Sequence, residues 1–225
     1  MKRLITLLYH NPLVARMFHT LVYCLQRELQ DCQSVLDLGC GPGSPLQFCP
    51  VPYAVGVDAF APYISTSAAR AIHTAYIHAD ITRLAFQPKS FDAVVMLDVL
   101  EHLPQHEGMA LLQKAECWAR KRVLITTPNG YVPQGPRGGN PYQVHRSAWT
   151  LTAMRGLGYR AHGMAGLRFL HRENPLTPME DPEAMFTTIR WRPWLFWLCV
   201  CTVTQLLTYH VPQWTYEILY VRDLP

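Results

Sequence analysis

At 225 residues, 49% hydrophobic and 16% charged, the chain is long enough to bury one sizeable core and too short for two well-separated domains. Its net charge of +4 is spread out, and the nearest thing to a basic cluster, Arg120 to Arg122, is short and has no interleaved aromatics, which argues against a nucleic-acid partner. The seven cysteines follow no disulfide framework or zinc spacing, as suits a reducing, cytoplasmic setting.

The opening "MKRLITLLYHNP" has a basic tip and an apolar run. His10, Asn11 and Pro12 cut that run short and no cleavage site follows, so it reads as mature sequence. From Pro12 to Gln30, apolar Leu13, Met17, Leu21, Cys24, Leu25 and Leu29 recur at helical spacing, with Asn11 and Pro12 suited to the cap and first turn. Strand-length apolar runs follow at Val35–Leu38, Ala54–Val57, Ala75–His78, Ala93–Leu97 and Val123–Thr126. Helix patterns lie between the later ones, at Ala61–Ile72 and Gln105–Arg120, and the basic Arg120–Arg122 suits the C-terminal end of the second helix. Uniformly apolar strands alternating with helices predict a parallel sheet covered on both faces.

"TTPNGYVPQGPRGGNP" must be a long loop, after which Ser147 is expected to cap a helix through Met154. Tyr159–Met164 and Thr215–Val221 read as the last strands. Between them, Trp194–Val211 is interrupted by Thr202, Thr204, Gln205, Thr208 and His210, so a helix packed on the domain is expected rather than a membrane span. Trp191, Trp194 and Trp197 beside Arg190 and Arg192 resemble an interfacial belt, which leaves peripheral membrane contact through 190–211, or a lipid-like substrate, as the alternative.

The chemistry concentrates in "SVLDLGCGPGSP". Gly39, Gly41 and Gly43 strip the backbone where the first strand ends, and Ser44 and Pro45 start a short helix. Ligands of open α/β sheets bind at that edge. A carboxylate at Asp37 would repel a pyrophosphate and attract an ammonium group, and Ser44 misfits a dinucleotide fingerprint. Asp58 closes the second strand, where a carboxylate accepts both hydroxyl protons of a ribose, and Asp80 follows the third, within reach of an exocyclic amine.

"VLDLGCGPG", "VGVDAF", "HADI" and "FDAVVMLDVLEHL" together resemble the class I S-adenosylmethionine-dependent methyltransferases, convincingly over Ser34–Asn129; their "LEH" segment is also similar to that of ubiquinone-biosynthesis O-methyltransferases. The resemblance implies a Rossmann-like, doubly wound, mostly parallel seven-stranded sheet with the last strand antiparallel, an N-terminal helix and an aromatic helical insertion before the last strand. It implies one domain over 1–225, divided into a helical cap (1–33), a cofactor-binding core (34–166), the insertion (167–213) and the last strand (214–225). By the same similarity, Asp37, Gly39, Gly41 and Gly43 surround the methionine part of S-adenosyl-L-methionine and Asp58 the ribose. Asp80 and Ile81 meet the adenine, Ala59 and Phe60 flank the nucleoside, and Leu97 borders it.

Methyl transfer from a sulfonium requires alignment of the acceptor, and a hydroxyl acceptor also benefits from a base. "LDVLEHLPQHEG" offers Asp98, Glu101, His102 and His106; His102 is the choice, with a loop-holding structural role as its alternative. His145 is the second candidate, placed to swing over the site as part of a lid. Tyr142, Asn129 and Tyr131 are candidates to shape the same pocket without a catalytic role, and Arg16 is only a weak candidate for the cofactor's carboxylate. Glu101 and His102 alone are too few ligands for a metal, so none is expected. The expected reaction is methyl transfer to a small, amphipathic acceptor, at oxygen. The rival readings are a non-catalytic S-adenosylmethionine-binding protein and a nucleotide-dependent dehydrogenase.

Overall fold

The computed structural model describes residues 11–136, 138–171 and 189–225. Most of the opening apolar stretch and the middle of the 167–213 insertion lie outside the described residues. Asn11 Oδ1 accepts the N–H groups of Leu13 and Val14 and starts α1 (Pro12–Met17). The single helix expected over 12–30 is broken: His19 takes a left-handed φ of 49°, and Thr20 restarts the chain as α2 (Leu21–Leu29) by accepting from Tyr23 N–H.

The strands are β1 (Ser34–Leu38), β2 (Tyr53–Asp58), β3 (Ala75–His78), β4 (Phe91–Leu97), β5 (Ala119–Pro128), β6 (Arg160–Leu167) and β7 (Thr215–Asp223). They form one seven-stranded sheet in the order β3-β2-β1-β4-β5-β7-β6. Only β7 runs against its neighbours, antiparallel to both β5 and β6. Connections are made by α3 (Ala61–Ala69), α4 (Gln105–Trp118), α5 (Leu151–Gly156) and α6 (Trp194–Thr208). The sheet is buried on both sides because successive residues face opposite ways. Leu36, Val94 and Ile125 meet Leu111, Leu112 and Ala115 of α4, while Val35, Val95 and Leu124 meet Cys24, Leu25 and Leu29 of α2.

Two local expectations need correction. Arg120–Arg122 begin β5 rather than ending a helix, and Arg120 pairs with Asp92 while Arg122 reaches Glu28, Asp31 and Asp223. The cations therefore answer buried and edge carboxylates. Ser147 does not cap α5; Thr150 does, accepting from Ala153 N–H, while Ser147 Oγ donates to Leu100 O.

The helix expected from Trp194 stops at Thr208 and packs on β6. Glycine permits the approach: a Cβ on Gly166 would stand 2.5 Å from Cys201 O. Gln205 spans the contact, donating to Gly163 O at 2.7 Å and accepting from Gly166 N–H at 2.8 Å. The opposite face leaves Phe196, Val203, Leu206 and Leu207 exposed. Among the described residues, no helix is long and apolar enough to cross a membrane.

Candidate active site

The carboxyl ends of β1, β2 and β4 open into one cavity of about 1000 Å³. Asp37, the three glycines, Asp58, Ala59, Phe60, Asp80, Ile81 and Leu97 all border it, as do His102 and His145. Gly39 turns the chain at φ 70°, and a Cβ there would lie 2.6 Å from Val99 Cγ2. Gly41, at φ 58°, has nothing within 4 Å of where its Cβ would be, so the stripped backbone faces open cavity.

Asp58 holds the loop in this shape. Its Oδ2 accepts from Gly41 N–H at 3.0 Å and its Oδ1 from Phe60 N–H at 2.8 Å, so one carboxylate couples the β1 turn to the start of α3. Burial pushes its carboxyl above the usual range against the pull of those two N–H groups. Each oxygen keeps a second lone pair for a ligand hydroxyl.

Asp37 lines the cavity and also has a protein partner. Its Oδ2 lies 2.8 Å from His73 Nε2, and both side chains are almost wholly buried. One oxygen of the carboxylate expected to meet a ligand ammonium is thus engaged by His73, which the sequence pattern did not single out. A signal for it existed: Gly56 interrupts β2, and a Cβ there would lie 2.8 Å from His73 Nδ1. Asp80 caps a short 3-10 helix over Ile81–Arg83, accepting from Thr82 N–H and Oγ1, while still bordering the cavity.

Past β4 the chain turns at Asp98, with φ 54°, into a 3-10 helix over Leu100–His102. The loop carrying His145 is tied to that turn. Arg146 and Ser147 N–H both donate to Glu101 O, His102 Nδ1 lies 3.3 Å from Val144 O, and His145 Nδ1 lies 2.6 Å from Val132 O. In this conformation His145 is held against the turn after β4 by these hydrogen bonds. The two imidazole centroids are 4.8 Å apart. Burial and then the neighbouring Asp98 raise the Glu101 carboxyl well above its ordinary value, and burial and Asp98 do the same to Glu217, which β7 brings to the same wall.

Glu101, His102 and His145 each present a donor atom within 4.8 Å of the others, a group able to hold a metal ion that only the tertiary fold assembles. Tyr142 also borders the cavity, whereas Arg16, His106, Asn129 and Tyr131 do not. His106 points to solvent beside Glu107, and the Asn129 amide donates to Pro212, Gln213 and Thr215 carbonyls instead.

Residues 35–121 match the family model described as a methyltransferase domain. No curated protein matches the chain. A protein from Pyrococcus horikoshii is 22% identical over 51% of this chain and 54% of its own, with a TM-score of 0.44, so the chain spans about half the length of that relative. A SAM-dependent methyltransferase from Archaeoglobus fulgidus shares the fold over 94% of this chain and 98% of its own, at 15% identity and a TM-score of 0.53. The methyltransferase domain of bacterial CtHen1-C does so over 95% and 99%, at 16% identity and a TM-score of 0.53. Family match and sheet order together define an S-adenosylmethionine-dependent methyltransferase fold, with S-adenosylmethionine as the cofactor of the class. The chain thus carries a methyltransferase-domain match over residues 35–121 within a fold similar to that of class I methyltransferases.

The residues present fit that cofactor. Gly41 leaves backbone open to the cavity, Asp58 retains acceptor capacity, and Arg70 lies beside Gly43 at the glycine turn.

Proposed function

We propose that the chain works as a single domain over 1–225 that transfers a methyl group from S-adenosylmethionine to an oxygen of a small, amphipathic acceptor. The observation that carries this reading is the convergence of the β1, β2 and β4 tips on one cavity that the imidazoles of His102 and His145 also line. Gly39, Gly41 and Gly43 with Asp37 take the methionine part, Asp58 takes the ribose, and Ala59 and Phe60 flank the nucleoside. Asp80 and Ile81 meet the base, and Leu97 borders the sulfonium side. The acceptor lies against His102 and His145, where its proton leaves as the oxygen attacks the methyl carbon. The C–S bond breaks with its electron pair on sulfur, giving neutral S-adenosylhomocysteine.

Support for an amphipathic acceptor comes from α6, whose exposed Phe196, Val203, Leu206 and Leu207 carry no charge and follow exposed Arg190 and Arg192. This face docks peripherally on an anionic bilayer in a cytoplasmic setting. Calorimetric titration with S-adenosylmethionine, S-adenosylhomocysteine and NADH tests the cofactor; binding of NADH alone would overturn the reading. Incubating a metabolite pool with methyl-labelled cofactor then identifies the product by mass spectrometry, and a label found only on nitrogen or carbon would refute the oxygen assignment.

A further inference from the structure

We propose that a second cavity, adjoining the one already described, is an acceptor subsite for a flat aromatic ring that carries an anionic group, a carboxylate or a phosphate. The inference rests on the methyltransferase reading for which end of the acceptor reacts, but not for its binding test.

The second cavity measures about 820 Å³ and is lined from the end of β6 and the start of β7. Val132, His171 and Tyr216 border both cavities, so the two share a wall. The backbone is bent to build it. Ala165 and Gly166 take left-handed φ of 63° and 74°, the register of β6 on β7 shifts between Met164 and Leu167, and the chain beyond this bulge presents Leu167, Arg168 and Phe169 to the cavity. His171 secures the bend: its Nε2 lies 2.7 Å from Ala165 O, and its ring stacks on Tyr216 with centroids 4.4 Å apart.

The lining carries one sign of charge. Arg168 and Arg190 border the cavity, and among the described residues no carboxylate does. Asn129 aims Arg168, its carbonyl accepting from Nη1 at 2.7 Å while its own N–H donates to Tyr216 O. That bond uses one of five guanidinium donors, and a planar fork of this kind matches a two-oxygen anion. Arg190 is held over the Trp191 ring, with Cζ 5.8 Å from the centroid. Phe169 and Trp214 are 57% and 54% exposed although both border the cavity, so each offers ring surface to a flat apolar partner. Cations set beside uncovered aromatic rings recognise an anion carried on a ring. With the anion anchored there, the opposite end of the acceptor passes the shared wall at Val132, whose carbonyl lies 2.6 Å from His145 Nδ1, and enters the cofactor cavity. Neutral and cationic acceptors lack the anchor, so Arg168 and Arg190 set specificity.

The probes are 6-hydroxy-2-naphthoate and 2-naphthyl phosphate as anions and 2-naphthol as the neutral ring, each titrated calorimetrically into the full chain. The wild type should bind at least one anion roughly tenfold more tightly than the neutral ring, as hydrogen bonds to a charged group provide. Which anion leads distinguishes carboxylate from phosphate. R168Q and R190Q should each narrow that margin and the double variant should abolish it, with 2-naphthol and S-adenosylhomocysteine bound as by the wild type. The proposal is overturned if the wild type binds neither anion at millimolar concentration, if it binds all three probes alike, or if the double variant keeps the preference. Tighter binding of a single-stranded RNA, lost in the same variants, would overturn the small-molecule assignment. Anion preference in a wild type that fails to bind S-adenosylhomocysteine leaves the subsite standing and removes the methyltransferase reading, whereas S-adenosylhomocysteine binding without the preference does the reverse.

Discussion

At the scale of single residues, the cofactor edge is built from groups whose roles are separable by substitution. Gly39 combines a left-handed φ with Val99 pressed against the space a Cβ would need. Gly39→Ala should therefore cost about 1–3 kcal/mol. The thermal midpoint should fall by roughly 2–4 °C per kcal/mol, read by calorimetry. Asp58→Ala removes the acceptor for two backbone N–H groups as well as the proposed ribose contact. S-adenosylhomocysteine affinity should drop at least tenfold, about 1.4 kcal/mol, by isothermal titration. His73→Ala leaves Asp37 buried beside a vacated ring. Urea unfolding should show a loss of about 3–5 kcal/mol, and the cost should shrink in a D37N background if the pair is the cause.

Elements carry a different kind of statement. α6 is held to β6 by close glycine contacts and by Gln205, while Phe196, Val203, Leu206 and Leu207 on its outer stripe stay exposed. Leu206→Glu should change stability by no more than about 0.5 kcal/mol, as exposed substitutions do. The same change should abolish sedimentation with anionic liposomes at low salt. Pelleting equal to wild type would sever α6 from the membrane. The start of β5 is anchored in a comparable way, with Arg122 and Arg160 converging on Glu28, which is itself 7% exposed on α2. This network fixes α2 against the far end of the sheet, away from the cofactor edge.

For the molecule as a whole, acid should loosen the join between the α1–α2 turn and the β6–α6 side. His162 stacks on Tyr209, which stacks in turn on His19. Burial, with the nearby Arg27 and Arg160 cations, lowers the His162 pKa to about 4. Folding therefore favours the neutral ring. Its contribution is complete above pH 6.5, the unfolded value, and is lost progressively as pH falls toward 4. The thermal midpoint should decline across that window, and less steeply in H162Q, the comparison that isolates this group from other titrating side chains.

Much of the architecture was legible in the amino-acid order because it depends on local requirements. Strand-length apolar runs, a stripped glycine turn and acids at the ends of the early strands placed β1 to β4 and the cavity edge within a residue or two, whereas β5 begins four residues earlier than its apolar run. What escaped needed partners brought from afar. Asp37 meets His73 across 36 residues, and His102 meets the 144 carbonyl across 42, so neither pairing has a periodicity to betray it. The helix break at His19 and the strand role of Arg120–Arg122 were settled by packing against other elements, which overrides local pattern. The chain alone determined the sheet, its ligand edge and the class of cofactor. Only the folded arrangement decided that the His145 loop returns to Glu101, because hydrogen bonds from 146 and 147 to one carbonyl depend on where the whole sheet puts that turn.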